Sequence, residues 1–138
     1  MNFIDTAFEQ KLCGDDFLQA MADIYKEPKV RQILNNYPLF VQDIINIIDY
    51  DSAMQIDGFD EIINGSLAER YNDILSALTR CGLMDEVAVI TDAKKLDEEN
   101  HYEYDHKYNV FSQKIALHND YDKFWNAVRQ YIDSNISY

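Results

Sequence analysis

Apolar residues recur three and four positions apart through most of the chain, which is the spacing of one face of an α-helix. The most apolar stretch, 38–54, reads PLFVQDIINIIDYDSAM, and its apolar residues cover most of a helical circumference. Its polar residues Gln42, Asn46 and Asp49 fall into one narrow stripe at helical spacing. Because a helix that is apolar nearly all round is a central one, we predict that this segment forms the core helix.

The chain before this segment predicts three shorter helices. Apolar faces mark helices over 3–13 and 15–25, which Gly14 divides. Pro28 suits the first turn of a third helix, because the N–H that proline lacks is not needed there. That helix must end before Pro38, since the residue preceding a proline avoids the helical conformation.

The stretch that follows the core helix is punctuated by residues that start and stop helices. Asp57 is the predicted cap of a short helical turn that runs through Ile63. Asn64 and Gly65 would end this turn, because both residue types accept the left-handed conformation that a helix end needs.

Two longer helices are predicted after this turn. Ser66 would cap the first of them, with Glu69 three residues later as its capping-box partner. Gly82 ends this helix, and the next one begins near Asp85. Such a short break between two amphipathic helices implies an antiparallel pair.

The end of the chain predicts a loop and two further helices. Residues 97–109 contain five acids and three tyrosines without apolar periodicity, which is typical of a loop. A short helix is predicted over 108–118 and a last one over 120–134, with Asp120 as its cap. We therefore predict an all-α fold in which residues 1–138 form a single domain. This domain is a bundle of about six to eight helices around the central helix at 38–54.

Composition agrees with this fold and adds a strong charge. The chain has only four glycines and two prolines, which suits long helices with short connections. Its 25 acids and 12 bases give a formal net charge of −13. Like charge should keep the protein from nucleic acid and from anionic membranes, so the partners that its charge favours are basic surfaces. The alternative is that the acids only confer solubility.

The N-terminal sequence predicts the compartment. It has no basic n-region followed by an apolar h-region, so it does not resemble a signal peptide. No apolar run approaches the ~20 residues that a membrane span needs. We therefore expect a cytoplasmic protein in which Cys13 and Cys81 are reduced thiols.

The acids are unevenly distributed along the chain. From Gln32 to Glu69 there are seven acids and no lysine or arginine. Clustered carboxylates repel one another, and a basic partner would relieve that repulsion. Carboxylates on neighbouring helical positions also have a spacing on which they can imitate a row of phosphates. The predicted partner-binding residues are Asp43, Asp49, Asp51, Asp57, Asp60, Glu61, Glu69 and Asp73, provided that each is exposed.

Few residues suggest catalysis, a metal or a cofactor. The sequence has no H-E-x-x-H, C-x-x-C, G-x-S-x-G or Walker pattern. His101 and His106 are five positions apart, so one helix face would not present both of them, and we expect no metal site. Asp49 is the one acid in an apolar setting, and we expect it to be structural rather than catalytic. We expect no cofactor and no enzymatic activity.

Residues 50–96 resemble a family of small bacterial helical proteins that are described as a domain of unknown function and associated with the name DNA-mimic protein. That family shows Asn-Gly-Gly-Phe, then an aromatic pair and an asparagine, before a helix with a glycine break. Gly58, Phe59 and Asn64 match this pattern, whereas Asp57 replaces a glycine and Ile62-Ile63 replace the aromatic pair. The resemblance implies an all-helical fold, no known catalysis and, for some members, an acidic surface that occupies a DNA-binding protein.

These observations favour a non-enzymatic acidic protein that binds a basic partner, in the first place a DNA-binding protein, through a carboxylate surface that mimics DNA. One alternative is an immunity protein that neutralises a basic toxin, which needs one cognate partner and tighter binding. Another is a hydrolase that uses carboxylates, which needs an acid with a perturbed pKa in a concave pocket. The sequence leaves a homodimer open.

Overall fold

A computed structural model describes residues 1–99 and 120–138 of the chain. The α-helices are α1 (Phe3–Glu9), α2 (Gly14–Met21), α3 (Leu39–Ile56), α4 (Phe59–Ile63), α5 (Tyr71–Arg80), α6 (Met84–Glu99) and α7 (Tyr121–Asn135). Shorter 3-10 helices occupy Ala22–Tyr25, Pro28–Asn36 and Ala68–Arg70. Neither described range contains a β-strand, and the predicted all-α fold is confirmed.

The central helix is α3, as the apolar run over 38–54 predicted. Ile44, Ile45 and Ile47 are completely buried, because other elements surround α3 on several sides. It contacts α2, α4, α5, α7 and both N-terminal 3-10 helices. The buried apolar side chains of all these elements form one continuous core.

The N-terminal elements are shorter than predicted. The first helix ends at Glu9 rather than at 13, and Lys11 already has a positive φ of 57°. The predicted helix after Pro28 is a 3-10 helix that ends at Asn36, before Pro38. The rings of Phe8, Phe17 and Phe40 pack with centroids 5.4–6.2 Å apart and join α1, α2 and α3.

The corner between α3 and α4 is built on Gly58. Asp57, which was the predicted N-cap of the following turn, is instead the C-cap of α3. Gly58 takes the N-cap position of α4 with φ 72° and ψ −158°, a conformation that is essentially restricted to glycine. Phe59 follows it directly and is buried in the core. The chain can therefore reverse sharply after α3 and still bury the next side chain.

The predicted capping box at Ser66 does not form. The Ser66 N–H and hydroxyl both donate to the carboxylate of Glu61, which lies five residues earlier. A 3-10 turn follows, and α5 begins only at Tyr71. Glu61 therefore closes the connection between α4 and α5, and Glu69 does not act as a capping partner.

The predicted end of the next helix at Gly82 is confirmed. Gly82 has φ 77°, and its N–H donates to the carbonyl of Thr79. The Leu83 N–H donates to the carbonyl of Leu78, which completes a Schellman motif. This turn is short, and α5 packs directly against α6 across it.

The last helix agrees with its prediction. Asp120 is the N-cap of α7, and its carboxylate accepts the N–H of Lys123 at 3.1 Å. Phe124, Val128 and Ile132 form the buried face, which packs on α2 and α3. The predicted loop over 97–109 is helical as far as Glu99, and its remainder lies outside the described residues, as does the predicted helix over 108–118.

Candidate functional site

Asp49 holds together the most extensive polar cluster on α3. Its carboxylate is only 6% exposed and accepts two hydrogen bonds from Arg31, at 2.6 and 3.0 Å. Arg70 donates to it at 2.7 Å, and the hydroxyl of Tyr25 donates at 2.7 Å. Arg70 also donates to the side-chain carbonyl of Asn46, one turn earlier on the polar stripe. The stripe therefore pairs with two arginines that border the base-free stretch.

The hydrogen bonds to Asp49 decide its charge state. Burial alone would raise the pKa of Asp49, but the hydrogen bonds from Arg31, Tyr25 and Arg70 together outweigh burial. The pKa of Asp49 is consequently below its usual range, and the group is a carboxylate at neutral pH. Burial, followed by the bond to Asp49, raises the pKa of Tyr25.

Asp43 forms a second inward-facing cluster. It is 1% exposed and accepts two hydrogen bonds of 2.7 Å from Arg80, as well as the hydroxyl of Tyr131. Burial, followed by the bond to Asp43, raises the pKa of Tyr131 above its usual value. Arg80 lies on α5 and Tyr131 on α7, so this cluster ties two outer helices to α3.

These two clusters correct the predicted partner-binding set. Asp43 and Asp49 are buried and paired with arginines, so they fail the condition of exposure and leave the set. Asp51 is half-buried on α3, and the hydroxyl of Tyr121 donates to it at 3.4 Å.

Five of the predicted acids lie in one stretch of the chain, residues 57–73, and we call them the acidic surface. Its members are Asp57, Asp60, Glu61, Glu69 and Asp73. Glu61 is half-buried by its bonds to Ser66, and the other four are exposed. No member forms an ion pair with another residue that the structure describes. Arg70 is the single base between residues 57 and 73, and its bonds run inward to Asp49 and Asn46.

Four residues of this region were missed from the sequence. The arginines Arg31, Arg70 and Arg80 pair with acids 18 to 37 residues away. For Arg31 and Arg70, the signal that could have found them is the polar stripe itself, because polar groups on a central helix need partners. Glu86 on α6 was also missed: it is completely buried and accepts the hydroxyl of Tyr50.

A groove lies beside the Asp49 cluster. It encloses about 430 Å³ between the end of α3, α4 and the 3-10 turn before α5. Arg31 and Arg70 line it together with Asp57 and Glu61, so groups of both charges border the same space. Its volume is within the range of ~300–1,000 Å³ that is typical of small-molecule sites.

The described residues offer little for metal or thiol chemistry. Within 1–99 and 120–138, no three His, Cys, Asp or Glu residues are grouped so that they could hold a metal ion. His101 and His106 lie outside these ranges. Cys81 is a free thiol, and burial, followed by the nearby charge of Asp43, raises its pKa to about 12. A thiol of such high pKa is a poor nucleophile at neutral pH.

Comparisons with protein-family models, with curated proteins and with solved structures found no match to this chain. The resemblance of residues 50–96 to the DNA-mimic family therefore stays a prediction. Its glycine has a clear structural role here, since Gly58 makes the corner after α3. A search of the described helices for a membrane span found none that combines the necessary length and apolarity.

Proposed function

We propose that this protein is a non-enzymatic acidic protein that binds a basic partner, a DNA-binding protein, through the acidic surface. The supporting observation is the separation of charges around α3. The arginines that border the base-free stretch pair with buried Asp49, whereas the exposed acids of residues 57–73 form no ion pair in the described part of the chain. Residues 57–73 therefore offer a partner five acids and a single base, Arg70, which is engaged with Asp49.

Electrostatics of this kind favours a basic partner for two reasons. Carboxylates that repel one another in the free protein gain when lysines or arginines approach them. Complementary charge also steers the encounter and raises the association rate. A surface that binds DNA carries the required positive charge, and the resemblance to the DNA-mimic family points to the same class of partner.

A catalytic role for Asp49 is less well supported. A general acid or base works best with a pKa near the operating pH, whereas the pKa of Asp49 lies below its usual range. Its four accepted hydrogen bonds also fill about all the positions at which a carboxylate can accept. These features are typical of a structural carboxylate.

The proposal is tested by reversing charges on the acidic surface. The triple variant Asp60→Lys, Glu69→Lys, Asp73→Lys changes three exposed acids and leaves the groove residue Asp57 intact. The matched control is Asp16→Lys, Glu27→Lys, Asp85→Lys, which gives the same net charge. Both variants replace two acids in the first turn of an α-helix and one acid at the start of a 3-10 helix, so their costs to helix stability are similar.

Each protein is immobilised, exposed to lysate of the native host and eluted with a salt gradient, and the eluted proteins are identified by mass spectrometry. We expect basic DNA-binding proteins to be retained by the wild type and the control and to be lost from the first variant. Elution at moderate salt is expected, because exposed charges more than ~8–10 Å apart are screened at physiological ionic strength. Added DNA should displace the partner. Equal retention by both variants would overturn the proposal, and a single toxin that resists high salt would favour an immunity protein.

A further inference from the structure

The two arginines on Asp49 carry more charge than that carboxylate neutralises. Arg31 and Arg70 both donate to the same oxygen, Oδ2, so two guanidinium groups lie side by side over one negative charge. Asp49 already accepts four hydrogen bonds and has no further acceptor to offer. The cluster is therefore left with one excess positive charge beside the groove.

Donors also remain on both guanidinium groups. Arg31 uses its two terminal nitrogens on Asp49, and its Nε makes no bond to any residue that the structure describes. Arg70 uses Nε and Nη2 on Asn46 and Asp49, which leaves Nη1 without a partner in the same residues. Both side chains are about one third exposed, at 32% and 31%, and both line the groove.

This arrangement is preorganised for an anion. Two like-charged groups are costly to bring together, and in this protein Asp49 already holds them in place. A ligand that brings a second negative charge meets fixed donors and does not have to order two long side chains, so little binding energy is lost. Arginine is well suited to carboxylates, because its planar fork can donate two parallel hydrogen bonds.

The rest of the groove restricts the kind of anion. Asp57 is exposed, forms no ion pair with any described residue and lines the same groove, together with Glu61. These acids repel a phosphate dianion more strongly than a carboxylate, and they favour a cationic group on the ligand. Ile56 and Leu67 add apolar lining. We propose that the groove binds a small zwitterion of the α-amino acid class, with its carboxylate on Arg31 and Arg70 and its ammonium group on Asp57.

The test uses four probes that separate these features. L-Leucine carries both charges, 4-methylpentanoate lacks the ammonium group, leucine methyl ester lacks the carboxylate, and inorganic phosphate is the plain anion. Binding to the whole chain is measured by calorimetric titration, with the arginine Nε resonances followed by NMR. We expect saturable binding of one leucine, weaker binding of 4-methylpentanoate and phosphate, and none of the ester.

Variants then test whether the ligand binds in the groove. Asp57→Asn should lower the affinity for leucine about tenfold, which is the effect of losing ~1.4 kcal/mol in a charged contact. The same change should raise the affinity for 4-methylpentanoate. Opposite effects on the two probes cannot arise from a loss of folding. Arg31→Lys should weaken the binding of both ligands, whereas Asp16→Asn, at an exposed acid that does not line this groove, should change neither affinity.

The inference fails if leucine does not saturate the wild type, or if its affinity is the same in Asp57→Asn and Arg31→Lys as in the wild type. Phosphate that binds more tightly than leucine would also overturn it, because the acids would then not select the ligand. None of these measurements needs a protein partner. The groove site and the proposed function can therefore fail separately.

Discussion

At the residue scale, Asp49 is a carboxylate that connects several elements of the fold instead of contributing charge to the surface. It connects α3 to Arg31 in the N-terminal 3-10 helix and to Arg70 just before α5. These partners are 18 and 21 residues away in sequence. The connection is therefore tertiary, and its loss should affect the whole fold.

Replacement of Asp49 by Asn should destabilise the protein by about 2–3 kcal/mol at neutral pH. This is less than the ~3–5 kcal/mol of a fully buried pair, because the guanidinium groups remain one third exposed to water. Urea unfolding of the wild type and the variant measures the difference. The control is Asp15→Asn, whose partner Arg129 forms an exposed pair that should contribute no more than ~1 kcal/mol.

The pH dependence of this difference has a definite sign. Folding lowers the pKa of Asp49, so its contribution is complete above the unfolded value of ~3.9 and is lost as the pH falls through the lower folded value. The wild type should therefore approach the stability of Asp49→Asn in acid. A difference that stays constant down to the lowest pH would contradict the assignment of Asp49 as the ionised partner.

The sequence predicted only part of this cluster. The polar stripe of Gln42, Asn46 and Asp49 was recognised on an apolar helix, and Asp49 was expected to be structural. The stripe does not identify its partners, because each arginine comes from another element and the contacts depend on how the helices pack. The same limit explains why Asp43 and Asp49 were partner-binding candidates although both are buried and paired with arginines.

At the element scale, α3 was predictable because its isoleucines leave almost no polar face for water. Gly82 and Asp120 were also predictable, since a left-handed turn and a helix cap are local features. The cap at Asp57 and the box at Ser66 failed for a common reason. Each depends on where the neighbouring element enters, and Gly58 and Glu61 decide that entry.

The two glycine turns give a test at this scale. Gly58→Ala should cost about 1–3 kcal/mol, since φ 72° with ψ −158° is almost closed to other residues. Gly82→Ala should cost about 1 kcal/mol, the lower end of the cost of a left-handed conformation for alanine. An added Cβ would meet nothing within 4 Å at either position, so backbone conformation alone separates the two variants. Equal unfolding free energies in urea would show that the corner at Gly58 can relax.

At the scale of the whole molecule, the distribution of charge matters more than its total. With a net charge of −13 the protein repels itself, and the acidic surface concentrates part of that repulsion in residues 57–73. Proteins often give up stability where a site serves function. Repulsion within the acidic surface should therefore lower the free energy of unfolding of the free protein measurably.

This weakening should appear as a dependence of stability on salt. Raising ionic strength from ~0.01 M to ~0.15 M shortens the range of the repulsion from ~30 Å to ~8 Å, so the wild type should become more stable. The gain should reach about 0.5–1 kcal/mol, from ~0.2–0.5 kcal/mol for each pair of like charges. Asp60→Lys, Glu69→Lys, Asp73→Lys should show less of this gain in urea unfolding than the control with the same net charge. An identical gain in both variants would indicate that the total charge, and not the acidic surface, causes the dependence on salt.

The inward bonds of Arg31 and Arg70 also determine how two copies of the protein meet. A patch of mixed charge can pair with the same patch on a second molecule, because each base finds an acid across the interface. In the acidic surface the single base, Arg70, donates inward to Asp49 and Asn46, and the five acids outnumber it. Two such faces should repel each other, so we expect any self-association to use another side of the molecule. We therefore expect the acidic surface to stay vacant even when the protein is abundant.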